Sequence, residues 1–87
     1  MRQFFSTINN ATIISCNCRT SQKGNEYLQV KIKDNFRNEF SFVDYNVGHE
    51  SLYAPNTIGE LQIKYSESQY GSTTYKNLEI DDFKPNN

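Results

Sequence analysis

Residues 19–33 read RTSQKGNEYLQVKIK. A polar turn carrying Gly24–Asn25 runs into a segment in which Leu28, Val30 and Ile32 alternate with Tyr27, Gln29, Lys31 and Lys33. Strand side chains point alternately to opposite faces, so this period of two predicts a strand with one core face and one solvent face. The solvent face is unusual in its content: an aromatic ring, an amide and two lysines.

Working outward, the same grammar repeats. Upstream, NATIISCNCRT predicts a strand over 11–19, with Ile14, Cys16 and Cys18 on one face and Ile13, Ser15, Asn17 and Arg19 on the other. SQKGN is a turn, Gly24–Asn25 supplying positive φ. Downstream, DNFRN is a hairpin tip and EFSFVDYNV the returning strand. Its register is open: Phe40 and Phe42 share one face, Val43 and Tyr45 the other, and a bulge between Phe42 and Val43 would turn most of them inward. GHESLYAPN is a loop, because Pro55 cannot serve a central strand. GELQIKYS is a fourth strand with Leu61, Ile63 and Tyr65 on one face, ESQYGST a second hairpin tip, and TYKNLEIDDF a fifth strand before the polar KPNN. The leading QFFSTI fits an extra edge segment. Sustained helical spacing is absent from the sequence.

Five short strands with frequent turns predict an all-β fold: a small five-stranded antiparallel barrel, closed to remove exposed sheet edges, with protruding hairpins. An oligonucleotide/oligosaccharide-binding (OB) barrel and an SH3-like barrel both fit the pattern. The 87 residues suffice for one domain, 1–87. A chain of this size buries only about 60–65% of its unfolded surface, so the core is modest. Phe42, Tyr65 and one of Phe4 or Phe5 suit that core; Tyr27, Phe36, Tyr53 and Tyr70 stand where burial is hard.

Composition excludes several classes. Two cysteines and one histidine cannot complete a four-ligand zinc site. Cys16 and Cys18 project in parallel from one strand, a poor disulfide geometry, and are expected as small buried apolar residues in a reducing compartment. No apolar run reaches the roughly 18–20 residues of a membrane span, so a soluble cytoplasmic protein without membrane contact is expected. His49 beside Glu50 reads as solvated loop surface, and Asp81 and Asp82 point to opposite strand faces, where they cannot share a metal or a proton. No convergent catalytic group, metal set or phosphate loop is visible, so neither enzyme activity nor a cofactor is expected.

The net charge of −1 hides an asymmetry. Residues 1–40 carry Arg2, Arg19, Lys23, Lys31, Lys33 and Arg37 against Glu26, Asp34 and Glu39, a net of +3. Residues 41–87 carry Lys64, Lys76 and Lys84 against seven acids, a net of −4. A basic surface on an acidic protein is therefore allowed. Exposed aromatics interleaved with cations suit single-stranded nucleic acid, which stacks bases on rings and releases counterions from phosphates. Tyr27, Gln29, Lys31 and Lys33 project together, with Arg19 and Lys23 just upstream and Arg37 at the hairpin tip. The same face is also ordinary for a half-exposed sheet, and lysine protects edge strands.

Four ordered landmarks add a resemblance. Gly24–Tyr27 forms a Gly-x-x-Tyr turn; NEF follows at 38–40, YAP at 53–55 and QYGS at 69–72, with LEIDDFKP closing the chain. In this order and spacing the chain resembles the small helix-destabilising, gene V type single-stranded-DNA-binding proteins of filamentous phages, over roughly residues 19–85. The resemblance implies an OB-type barrel, a homodimer, and cooperative, sequence-tolerant coating of single-stranded DNA during phage or mobile-element replication. It implies base stacking for Tyr27, DNA and dimer–dimer contacts for Phe40 on a protruding hairpin, and for Tyr70 a reach toward DNA held by the partner subunit. Arg19 and Lys23 fall where the family is basic. Departures are Glu26, where the family usually has proline, Gln22 in place of a basic residue, and a poorly matching first 18 residues. RNA is an open alternative ligand. A β-barrel protein-interaction or structural module, with its aromatics forming a protein interface, is the alternative function.

Overall fold

In the computed structural model, which describes residues 2–86 apart from the side chains of Arg2 and Tyr75, five strands form one closed barrel. They are β1 (Arg2–Thr20), β2 (Glu26–Lys33), β3 (Glu39–Asp44), β4 (Ile58–Tyr70) and β5 (Thr73–Pro85), with a 3-10 helix at Val47–Leu52 between β3 and β4. The order around the ring is β1-β2-β3-β5-β4. This is the expected small OB-type barrel. No helix among the described residues is long and apolar enough to cross a membrane.

The expectation of a wholly antiparallel sheet fails at one seam. β3 and β5 run parallel and are joined in register at Val43 and Glu79. The reason is topological: strand direction cannot alternate all the way round a ring of five.

β1 closes the ring by serving two neighbours. Its first half pairs with β4, from Arg2 opposite Glu67 to Thr12 opposite Ile58. Its second half pairs with β2, from Thr12 opposite Lys33 to Thr20 opposite Glu26. The residues expected as a separate edge segment are thus the start of β1. The bend is made at two irregularities, one between Ile8 and Ala11 and one between Ile13 and Ser15. At the first, Asn10 takes φ 56°, a left-handed conformation that asparagine tolerates better than most residues.

These bulges shift faces that strict alternation cannot predict. Ile13 is fully buried and Ile14 only half-buried, the reverse of the expected pattern. Cys16 is half-buried and Cys18 exposed, so neither is the buried apolar residue expected. Burial and the nearby acids Glu50 and Asp44 push the Cys16 thiol's pKa up. In β5 the register shifts where Gln62 faces Asp82 and Ile63 faces Ile80. Asp81 is the extra residue, so Ile80 and Phe83 both enter the core while Asp81 and Asp82 are both exposed rather than on opposite faces.

The core comprises Ala11, Ile13, Leu28, Val30, Ile32, Phe42, Tyr53, Leu61, Ile63, Ile80 and Phe83. β3 carries no bulge: it runs in unbroken register from Glu39 opposite Lys33 to Asp44 opposite Leu28, which sends Phe42 and Asp44 inward. Phe4 and Phe5 are each 56% exposed, and Tyr65 is half-buried, because this part of the sheet extends past the barrel as a wing of β1, β4 and β5. Tyr53 takes the place expected of a phenylalanine. It is 2% exposed, with its ring 5.7 Å from that of Phe83.

Candidate nucleic-acid interface

With Leu28, Val30 and Ile32 sealed inside, Tyr27, Gln29, Lys31 and Lys33 are left on the outer face of β2. Cross-strand partners share a face. Arg19 lies opposite Tyr27, Asn17 opposite Gln29 and Ser15 opposite Lys31 on the β1 side. Val43, Ser41 and Glu39 flank Gln29, Lys31 and Lys33 on the β3 side. Lys23 sits in the exposed turn between β1 and β2, closed by Ser21 N–H donating to Asn25 O at 2.8 Å and Gly24 N–H donating to Ser21 O at 2.9 Å. Gly24 there has φ 88°, open to glycine without strain.

Arg19, Tyr27, Gln29, Lys31 and Lys33 therefore share one surface, with Lys23 at its end. The remaining three candidates lie elsewhere. Arg37 is at the tip of the β2–β3 hairpin with φ 66°. That tip is held by Asp34, whose Oδ1 accepts from Phe36 N–H at 2.9 Å and Asn38 N–H at 2.8 Å. Phe40 faces the side of β3 opposite to the Tyr27 surface: it is in register with Ile32 and its ring lies 6.0 Å from Phe42. It is 40% exposed because it stands near the end of the strand. Tyr70 is 70% exposed at the tip of the β4–β5 hairpin, where it pairs with Thr73 around Gly71.

The charges on the surface are not equally available. Lys31 Nζ lies 3.1 Å from Glu39 Oε1, with both side chains about half exposed. An exposed pair of this kind contributes about 0–1 kcal/mol to stability, but it offsets the positive potential a phosphate would meet. Glu26, the acid beside Tyr27, points the other way. Its parity is that of Leu28, and its Oε2 accepts from the Cys18 thiol at 3.5 Å. Partial desolvation, then the hydrogen bond and charge of Glu26, raise the Cys18 pKa.

Two features escaped the sequence reading. The first is Tyr45, 56% exposed, whose ring centroid lies 6.4 Å from that of Tyr27 at an interplanar angle of 52°. Its hydroxyl donates to Asn77 Oδ1 of β5 at 3.4 Å. Alternation from Val43 carried this signal, but the open register of the strand obscured it.

The second is a cluster around Asp44, the buried carboxylate among the described residues. Asp44 Oδ2 accepts from the Tyr53 hydroxyl at 2.6 Å and lies 2.8 Å from His49 Nδ1; Oδ1 accepts from Asn46 N–H at 2.9 Å. Asn46 Nδ2 lies 3.2 Å from His49 Nε2, and Asn46 Oδ1 caps the 3-10 helix by accepting from Gly48 N–H at 3.0 Å. A neutral imidazole with its proton on Nδ1 satisfies both neighbours. Burial, then the hydrogen bond to Asp44, push the Tyr53 pKa far up. His49 is thus part of a brace between loop and barrel rather than free loop surface. Three of these groups come from a loop without periodicity, so no local pattern announced them.

Among the described residues no three His, Cys, Asp or Glu side chains gather so as to hold a metal ion. No family model matches the chain, and no curated protein or solved structure matches it.

Proposed function

We propose that the chain is a sequence-tolerant single-stranded-DNA-binding protein, acting as a homodimer that coats and protects phage or mobile-element DNA during replication. The observation that carries this reading is Tyr27, half-buried on the outer face of the barrel, with Arg19 across from it on β1 and Lys31 and Lys33 along its own strand. The β2–β3 face is where OB barrels bind oligonucleotides and oligosaccharides. A ring offers a surface to any base, and cations meet any phosphate, so such a face binds without reading sequence. A second copy is supported by Phe4, Tyr65 and Leu78, which lie side by side across β1, β4 and β5 with Phe4 and Leu78 exposed.

The same apolar row supports the alternative, a protein-interaction barrel. A mobility shift with single- and double-stranded DNA across a salt series, repeated with Tyr27→Ala, separates the two. The DNA reading requires retention of single strands that weakens steeply with salt, and a loss of about ten-fold or more in the variant at unchanged folding. Absence of retention at low salt, with Tyr27→Ala altering only the oligomeric state, would establish the interaction module instead.

A further inference from the structure

Resting on the single-stranded-DNA reading above, we propose that the strand crosses the barrel over a floor of two rings, Tyr27 and Tyr45, with its phosphates on the Arg19 and Lys23 side. The alternative course, along β2 over Lys31 and Lys33, is the one that alternation alone suggests.

Three observations carry the crossing path. First, the contacts run across the strands: Arg19 of β1 lies opposite Tyr27 of β2, Tyr27 packs beside Tyr45 at the end of β3, and the Tyr45 hydroxyl reaches Asn77 of β5. Rings 6.4 Å apart and tilted by 52° present two separate faces, one base to each.

Second, charge gives the path a direction. Arg19 and Lys23 are exposed at its β1 end. Beyond Tyr45 the surface turns acidic: Glu79 and Asp81 line a hollow of about 470 Å³ with Tyr45, Asn46 and His49. Lys64 Nζ stands 3.7 Å from Glu79 Oε1 and answers it, whereas Asp81 is exposed. Phosphates are therefore favoured over β1 and the connecting turn, and uncharged bases over the rings.

Third, the positive charge along β2 is partly offset by one carboxylate. Lys31 is paired with Glu39, and Lys33 stands in register with the same Glu39.

The test is anisotropy of a labelled oligo(dT) with the wild-type chain and with Tyr27→Leu, Tyr45→Leu, Tyr45→Phe and the double variant Lys31→Gln/Lys33→Gln, each checked for folding by circular dichroism. Tyr27→Leu and Tyr45→Leu should each weaken binding about ten-fold or more, the scale of one lost base stack. Tyr45→Phe, which keeps the ring, should stay within about three-fold, and the double lysine variant should lose less than Tyr45→Leu. Photocrosslinking of the unaltered chain to iododeoxyuridine-containing oligonucleotide should label both Tyr27 and Tyr45, a readout independent of variant folding. If Tyr27→Leu weakens binding while Tyr45→Leu does not, or if crosslinks map to Lys31–Lys33 without Tyr45, the crossing path is overturned and DNA binding survives. If the wild-type chain does not bind at all, both fall together.

Discussion

The Tyr53 hydroxyl donates to the buried Asp44 carboxylate at 2.6 Å, tying the loop between β3 and β4 to the end of β3. The bond is made to a charged acceptor with little access to water, which puts it among the stronger hydrogen bonds of a protein interior. Tyr53→Phe should lower the unfolding free energy by about 2 kcal/mol, read from urea denaturation. Asp44→Ala should cost more, about 3 kcal/mol, because it strands the Tyr53 hydroxyl and frees His49 as well. Equal stability of the wild type and Tyr53→Phe would show that the bond contributes nothing.

The same contact gives an alkaline signature. Burial, then Asp44, raise the Tyr53 pKa in the folded chain. The unfolded tyrosine ionises near its ordinary value of about 10. Above that pH the folded state therefore holds a proton that the unfolded state has lost. The stabilisation is complete below about pH 10 and declines as pH rises further. Urea midpoints at about pH 8 and pH 10.5 should fall for the wild type, and by less for Tyr53→Phe. Parallel falls in the two proteins would remove Tyr53 from the account.

Glu26 should matter to Cys18 and hardly to DNA. Its Oε2 accepts from the Cys18 thiol on the side away from Tyr27. Glu26→Gln removes a charge that holds the thiol pKa up, so more thiolate is present at a given pH and alkylation of Cys18 by iodoacetamide should be faster at about pH 8.5. Binding of oligo(dT) should change by less than about two-fold, since an exposed charge is screened by salt. A large gain in affinity would mean that Glu26 faces the DNA after all.

Salt dependence distinguishes the cations. Arg19→Gln should flatten the slope of log affinity against log salt by about 0.7, the value of one single-strand phosphate contact. Lys31→Gln should change it little while Glu39 is present. Identical slopes for Arg19→Gln and the wild type would place the phosphates elsewhere.

Gly59 is a packing requirement. A Cβ at this position would overlap the Lys84 carbonyl oxygen and lie 2.8 Å from Pro85 Cα. Both are backbone atoms of the paired strand β5, with no side-chain freedom to give way. Gly59→Ala should destabilise the barrel by about 1–3 kcal/mol, visible as a lower melting temperature.

Alternation decided a great deal. The inward faces of Leu28, Val30 and Ile32 and of Leu61 and Ile63, the turns at Gly24 and Gly71, and the shared outer face of Tyr27, Gln29, Lys31 and Lys33 follow from the chain's own order. A period of two is a local property of an extended backbone, and apolar side chains at that period have one way to leave water.

What only the tertiary structure decided begins where the ring has to close. Bulges in β1 and β5 put Ile13 rather than Ile14 inside and turned Asp81 and Asp82 both outward. The core accepted Tyr53 from a loop because Asp44 could satisfy its hydroxyl there, leaving Phe4 and Phe5 on a sheet that extends past the barrel. The unbroken register of β3 turned Phe40 away from the candidate surface and brought Tyr45 beside Tyr27. Each of these outcomes depends on partners far apart in sequence. Closure of the barrel, rather than the local period, set which groups could meet.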